Sequence, residues 1–270
     1  MTTDYTLAYG THATPEDGRC AMEWVSHLAG EPHSDQPKCV SPALRAICIA
    51  LNDGLDHQPR QRLRPLLTRT IGTANDGLDD ARSWMAMDWL VREYTPTWLE
   101  RAALREPAAA LRSLPAVLDE SALARALAPL ERARLRARGA RTADRSAPWT
   151  AARSAARETA WACAGAAAWA AARVSVSDLS GERARAAARA TAADAATVIA
   201  REALPARRPR GRAATKDATR SILAPSVRDL RASVLALLER MLPTEPVTLP
   251  RNSPPAAWER EQKRIFTRSV

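Results

Sequence analysis

A chain of 270 residues can form one large domain or two modest ones, and its 46% hydrophobic content allows a real core. Alanine supplies 58 of the hydrophobic residues and there are only 12 aromatic positions, so that core must come from close helix–helix packing rather than bulky side chains. Four unevenly spaced cysteines exclude a disulfide scaffold, and the longest uncharged apolar run, Thr159 to Ala172, is too short to span a bilayer.

The net charge of +10 is unevenly divided. Residues 1–100 hold 9 Lys/Arg against 14 Asp/Glu, giving −5, and residues 101–270 hold 31 against 16, giving +15. A basic half predicts affinity for polyanions such as nucleic acid. Arginine makes up 37 of the 40 basic residues, and a surplus of Arg, Ala and Pro is also what GC-rich coding produces. The chain opens Met1-Thr2-Thr3-Asp4-Tyr5, without a basic-plus-apolar leader, and is expected to be cytoplasmic.

The periodicity predicts an all-α helical bundle. A first helix is expected over 15–29, with Thr14 as N-cap, Pro15 in the first turn, Asp17 returning a capping bond and Gly30 as its stop. On it Ala21, Val25 and Leu28 share one face, and Cys20, Glu23 and His27 share another. A polar loop covers 31–40, and Ser41-Pro42 opens a helix over 42–52 carrying Leu44, Ile47 and Leu51 inward. A third segment, 59–71, should bend or break at Pro65. Asp76 is placed to cap a helix over 76–94, with Pro96 restarting the chain at Trp98 and Leu99.

From 107 the helices are expected to shorten around Pro107, Pro115 and Pro129, and the arginine-rich stretch 131–145 reads as a solvated helix or linker. Residues 148–204, with Trp149, Trp161 and Trp169, read as an antiparallel Ala-rich hairpin. A basic loop over 205–216 leads to an amphipathic helix over 226–242 and a Pro-rich tail. The domain boundaries expected from composition are 1–145 for a helical domain with the Cys/His/Glu block, 146–243 for an Ala/Arg-rich helical domain, and 244–270 for the tail.

Residues that do chemistry are concentrated: all four histidines and three of the four cysteines lie within residues 12–57. Cys20, His27, His33 and Cys39 offer two thiolates and two imidazoles, which suits tetrahedral zinc, although no pair has the tight spacing usual in structural zinc sites. Cys39 follows Lys38 and precedes a helix start, both of which lower a thiol pKa, so it is a candidate nucleophile with His33 as base and Asp35 or Glu31 as orienter. Asp88 on an apolar helix reads either as a carboxylate serving this block or as an ion pair with Arg92 four residues on. Arg207-Arg208-Pro209-Arg210-Gly211-Arg212 resembles the core of an AT-hook, whose arginines enter a narrow minor groove; Ala213 stands where the hook has its closing proline.

The block Cys20-Ala21-Met22-Glu23-Trp24, Leu28-Ala29-Gly30-Glu31-Pro32-His33-Ser34-Asp35, Pro37 and Cys39-Val40-Ser41-Pro42 resembles a family of helical proteins of actinobacteria and their phages. Asn52-Asp53, Trp84 to Arg92 and Pro96 to Leu99 carry the same likeness. The resemblance implies a helical fold and a cytoplasmic setting, and attaches no activity. The function expected is therefore that of a non-enzymatic binding protein. Glu23, Glu31, Asp88, Arg92, Arg208, Arg210 and Arg212 are its candidate contacts, and nucleic acid is its candidate partner. The alternative is a thiol- or zinc-dependent enzyme built on the Cys/His block.

Overall fold

A computed structural model of the chain describes residues 6–140, 156–157, 160 and 213–244. Apart from residues 156–157 and 160, the expected hairpin over 148–204 lies outside the described residues, as do Arg208, Arg210 and Arg212. Among the described residues every element is helical and no strand occurs, as the periodicity predicts. No described helix is long and apolar enough to cross a membrane.

The described residues fall into two compact units, one within 6–76 and 242–244, the other within 77–241.

The first unit holds α1 (Ala21–Ala29), α2 (Pro42–Gly54), α3 (His57–Gln61), α4 (Arg64–Thr68) and a 3-10 turn over Thr73–Asn75. Helix α1 packs on α2 and α4. Met22, Val25, Leu44, Leu51, Leu63 and Leu67 fill the space between them with essentially no exposure. Each such side chain contributes roughly 1.5–3 kcal/mol by leaving water. The third segment breaks as expected: α3 ends at Gln61 and α4 takes Pro65 in its first turn, where the missing N–H costs nothing.

One boundary differs from expectation. Asp17 does return the anticipated capping bond, its Oδ2 accepting the Thr14 amide at 3.2 Å and the Thr14 hydroxyl at 2.9 Å, but with the Asp17 amide on the Thr14 carbonyl these bonds close a single turn. Gly18 follows at φ +135°, outside helical space, and α1 begins only at Ala21.

The second unit holds α5 (Asp79–Trp89), a π-helical turn over Leu90–Tyr94, α6 (Thr95–Arg101), α7 (Arg105–Arg112), α8 (Glu120–Ala140) and α9 (Ala213–Met241). Pro96 does not restart the chain. The π-turn absorbs it: the Thr95 amide reaches back five residues to the Leu90 carbonyl, and α5 runs on into α6. Buried Arg82 donates from Nε to the Met241 carbonyl at 3.0 Å, satisfying the C-terminal end of α9. Trp89 Nε1 donates to Ser233 Oγ at 2.7 Å, Ser233 hydrogen-bonds Glu93, and Arg101 hydrogen-bonds Ser226, so α9 is tied from Ser226 to its C-terminal end.

Helix α8 is longer than the sequence suggested, because it carries Pro129 inside and extends into the arginine-rich stretch as far as Ala140. Its buried positions Ala122, Leu123, Ala126, Leu130, Ala133 and Ala137 form one face, mostly alanine, on which α7 packs.

Candidate functional site

The site begins with a helix cap. Cys20 is the N-cap of α1: its sulfur accepts the Glu23 amide at 3.5 Å, and the Glu23 carboxylate returns to the Cys20 amide at 2.7 Å. That is a capping box with a thiol in the place usually held by Ser or Thr. The same carboxylate accepts two bonds from His12, the amide at 2.6 Å and ring Nδ1 at 2.8 Å. His33 Nε2 stands 4.0 Å from it and donates to the His12 carbonyl at 3.0 Å.

Glu23 is about 1% exposed, yet it is held as an anion. Burial by itself raises its pKa. The amides of His12 and Cys20 and the His12 ring outweigh that penalty and hold it below the usual carboxylate value.

A second set of side chains fixes residues 7–12 without regular structure. Asn52, buried on α2, accepts the Ala21 amide at 3.1 Å and donates to the Ala8 carbonyl and to Asp53 Oδ1, both at 3.0 Å. Asp53 Oδ1 accepts the Gly10 amide at 3.1 Å. The Gln61 side-chain amide pairs with both backbone groups of Leu7, at 2.8 and 2.9 Å. Arg60 donates to the carbonyls of Asn52 and Leu55 and lies over the Tyr9 ring, 5.8 Å from its centroid. Gly18 is required at its position on two counts: its positive φ, and the His12 ring, which would lie 3.0 Å from any Cβ placed there.

The loop from 31 to 41 is clamped by Glu31, which accepts the amides of Lys38 at 2.7 Å and Cys39 at 2.8 Å. Ser26 Oγ donates to the Ser34 carbonyl at 2.7 Å. The Cys39 carbonyl accepts the Ala74 amide at 3.1 Å, and Thr73 Oγ1 accepts the Ser41 amide at 2.9 Å.

These contacts revise the chemistry expected from sequence. Cys39 is buried, and its thiol is pushed up to about 12 by burial and by the adjoining Glu31 carboxylate, despite a bond from the Gly72 amide. Burial and a neighbouring anion win over Lys38, which is exposed, and over the helix start. His33 spends its Nε2 on a carbonyl, and among the described residues no hydrogen bond joins it to Cys39 or Asp35. The Cys39–His33–Asp35 nucleophilic arrangement is therefore not assembled.

The zinc set Cys20, His27, His33 and Cys39 is not assembled either. Among the described residues no group of three or more His, Cys, Asp or Glu is placed to hold a metal ion. Cys20 is occupied as a cap and pushed up to about 12, chiefly by burial, while His27 is exposed on the outer side of α1. Partial desolvation of the His27 ring and the Arg19 charge lower its pKa.

Asp88 belongs to the second unit and takes the ion-pair role: Arg92 Nη1 lies 3.1 Å from Oδ1, which also accepts the Val117 amide at 2.8 Å. Sequence reasoning missed Arg60 and Gln61, offered His12 only as a substitute zinc ligand, and gave Asn52 no role beyond a family likeness. The one available signal was the Cys-x-x-Glu spacing at 20–23, which is that of a capping box.

Comparison with protein-family models, with curated proteins and with solved structures finds no match to this chain.

Proposed function

We propose that the protein is a non-enzymatic cytoplasmic binding protein that contacts nucleic acid through its basic C-terminal half. The observation that carries the non-enzymatic part is how the Cys/His/Glu block is used. Glu23 has its oxygens occupied by three short bonds, Glu31 clamps two amides, and the buried thiols of Cys20 and Cys39, pushed up to about 12, are ionised only to roughly one part in 100,000 at neutral pH. Groups spent in this way hold a loop and a helix start in place and leave no activated nucleophile.

The nucleic-acid part is supported by the +15 balance of residues 101–270. Binding of the full chain to a short labelled duplex, followed by fluorescence anisotropy across a salt series, tests it. Affinity that falls steeply with salt is the expected result, since phosphate contacts release counterions. No association at low salt overturns the reading.

A further inference from the structure

We infer that one shoulder of α8, carrying Arg125, Arg132 and Arg136, is the surface on which a nucleic-acid duplex lays its phosphate backbone. This deepens the nucleic-acid reading above and rests on it. At about 100° per residue the three arginines fall within roughly 40° of one another, and they span about 16 Å along the helix axis. All three are exposed. They stand beside the face that α8 buries and so project along the flank of the unit rather than into its core.

Their present partners are weak or neutral. Arg125 donates to Ser121 Oγ at 2.6 Å, and no carboxylate of the described residues pairs with Arg125 or Arg132. Arg136 lies 3.6 Å from Glu106, with both side chains more than two-thirds exposed. An exposed pair of this kind is worth about 0–1 kcal/mol and exchanges readily for a phosphate. Arg134 is different: Glu131 holds it at 2.9 Å on another side of the helix.

The residues along the stripe favour a duplex over a lipid surface. Ala128 between the arginines, and Ser121 and Gly139 at either end, are small and exposed, so a phosphate chain can approach the helix closely. Leu135 is exposed beside Arg132, but one leucine falls short of the broad apolar face with which an amphipathic helix enters a bilayer. Each strand of a duplex offers one phosphate per about 3.4 Å of axis, so a stripe of this length meets several. Arginine binds them through two parallel N–H donors.

The test is duplex binding by the full chain against R125Q/R132Q/R136Q, with R125K/R132K/R136K as the charge-conserving control. Glutamine and arginine have similar helix propensity, so helix content is expected to hold. The glutamine variant should lose about tenfold or more in affinity at low salt. Its slope of log K against log salt should shrink by about 2–3, at roughly 0.9 per phosphate contact. The lysine variant should keep most of the slope. If the triple glutamine variant fails to fold, R132Q alone should lower the slope by about 0.9.

Affinity and slope equal to wild type in the glutamine variant overturn this surface while leaving the nucleic-acid reading standing. A wild-type protein that binds no duplex overturns both. Loss of slope in the lysine variant equal to that in the glutamine variant overturns a contact made through charge. Preference of the wild type for vesicles of anionic lipid over duplex overturns the choice of partner.

Discussion

His12 Nδ1 and Glu23 Oε2 lie 2.8 Å apart, and the His12 amide meets the other oxygen of the same carboxylate at 2.6 Å. One buried anion thus holds a segment without regular structure against the start of a helix that it also caps. Replacing Glu23 by Gln keeps the shape but turns an N–H2 toward donors that need an acceptor. The expected cost is about 2–3 kcal/mol, read as a lower urea midpoint at neutral pH. A midpoint within error of wild type would mean that the carboxylate charge is not what holds the segment.

The same group sets an acid dependence. Its folded pKa is lowered, so below the ordinary carboxylate value the unfolded chain binds the proton more readily and stability falls with pH. The contribution is fully present above about pH 4.5 and is lost as pH falls through the folded value. The wild-type urea midpoint should therefore drop on acidification below that point, and Glu23→Gln should drop less over the same interval.

Gly18 is the position where substitution should be least tolerated for its size. A methyl group there meets the His12 ring at 3.0 Å and forces a residue with a side chain to φ +135°. Gly18→Ala is expected to cost about 1–3 kcal/mol. Gly10→Ala, at φ +77° and with open space around it, should cost less, so the difference between the two melts reports the ring contact together with the greater backbone strain at Gly18.

The contrast between what was and was not legible in sequence follows from locality. Helix α2 could be read closely because Pro42, its apolar spacing and its stop are all local signals. The start of α1 was misread because Thr14-Pro15 offered a stronger local pattern than Cys20, and only Gly18 against His12 decides between them. The grouping of Cys20, Glu23 and His27 on one stripe holds for Cys20 and Glu23, whereas His27 turns outward. Asn52, Arg60 and Gln61 act on residues 7–10 across 40 or more positions of chain, and no periodicity carries that information. Pro129 lies inside α8 against the usual reading of proline as a boundary, while the buried alanine face on both sides of it keeps the helix continuous.

Thr95 is fully buried, and among the described residues its hydroxyl has no hydrogen-bond partner; nor has Trp98 Nε1, one turn on. Thr95→Val exchanges the hydroxyl for a methyl of similar volume and removes an unmet desolvation cost. Stability should rise by up to about 1–2 kcal/mol. Thr97→Val should not give the same rise, because the Thr97 hydroxyl donates to the Glu93 carbonyl at 2.8 Å. A loss of stability in Thr95→Val would show that its hydroxyl is satisfied in solution.

The thiols make a base-side prediction. Cys20, Cys39 and Cys48 are all pushed up to about 12 from an ordinary 9.0, in each case mainly by burial. Between those values the folded chain retains protons that the unfolded chain releases, so stability should fall as pH rises above about 9. At neutral pH, iodoacetamide followed by peptide mapping should leave these three cysteines unmodified until urea is added. Rapid labelling of Cys39 in the folded protein would restore the nucleophile reading.

Cys20 tests whether the thiol serves as a cap or as chemistry. Its sulfur accepts the Glu23 amide at 3.5 Å, a long bond to a weak acceptor, in a position where a hydroxyl is the stronger choice. Cys20→Ser should therefore hold the start of α1 about as well as the native residue, with a change within about 0.5 kcal/mol: a better bond is set against greater desolvation of the buried hydroxyl. Cys20→Ala removes the acceptor and should cost about 1 kcal/mol, leaving the Glu23 amide without its partner. Nucleic-acid binding should be equal in both variants once the protein is folded, since Cys20 lies in the N-terminal unit and the arginines of α8 lie in the other. If Ser destabilised as much as Ala, the capping role would fall and sulfur packing alone would explain the residue.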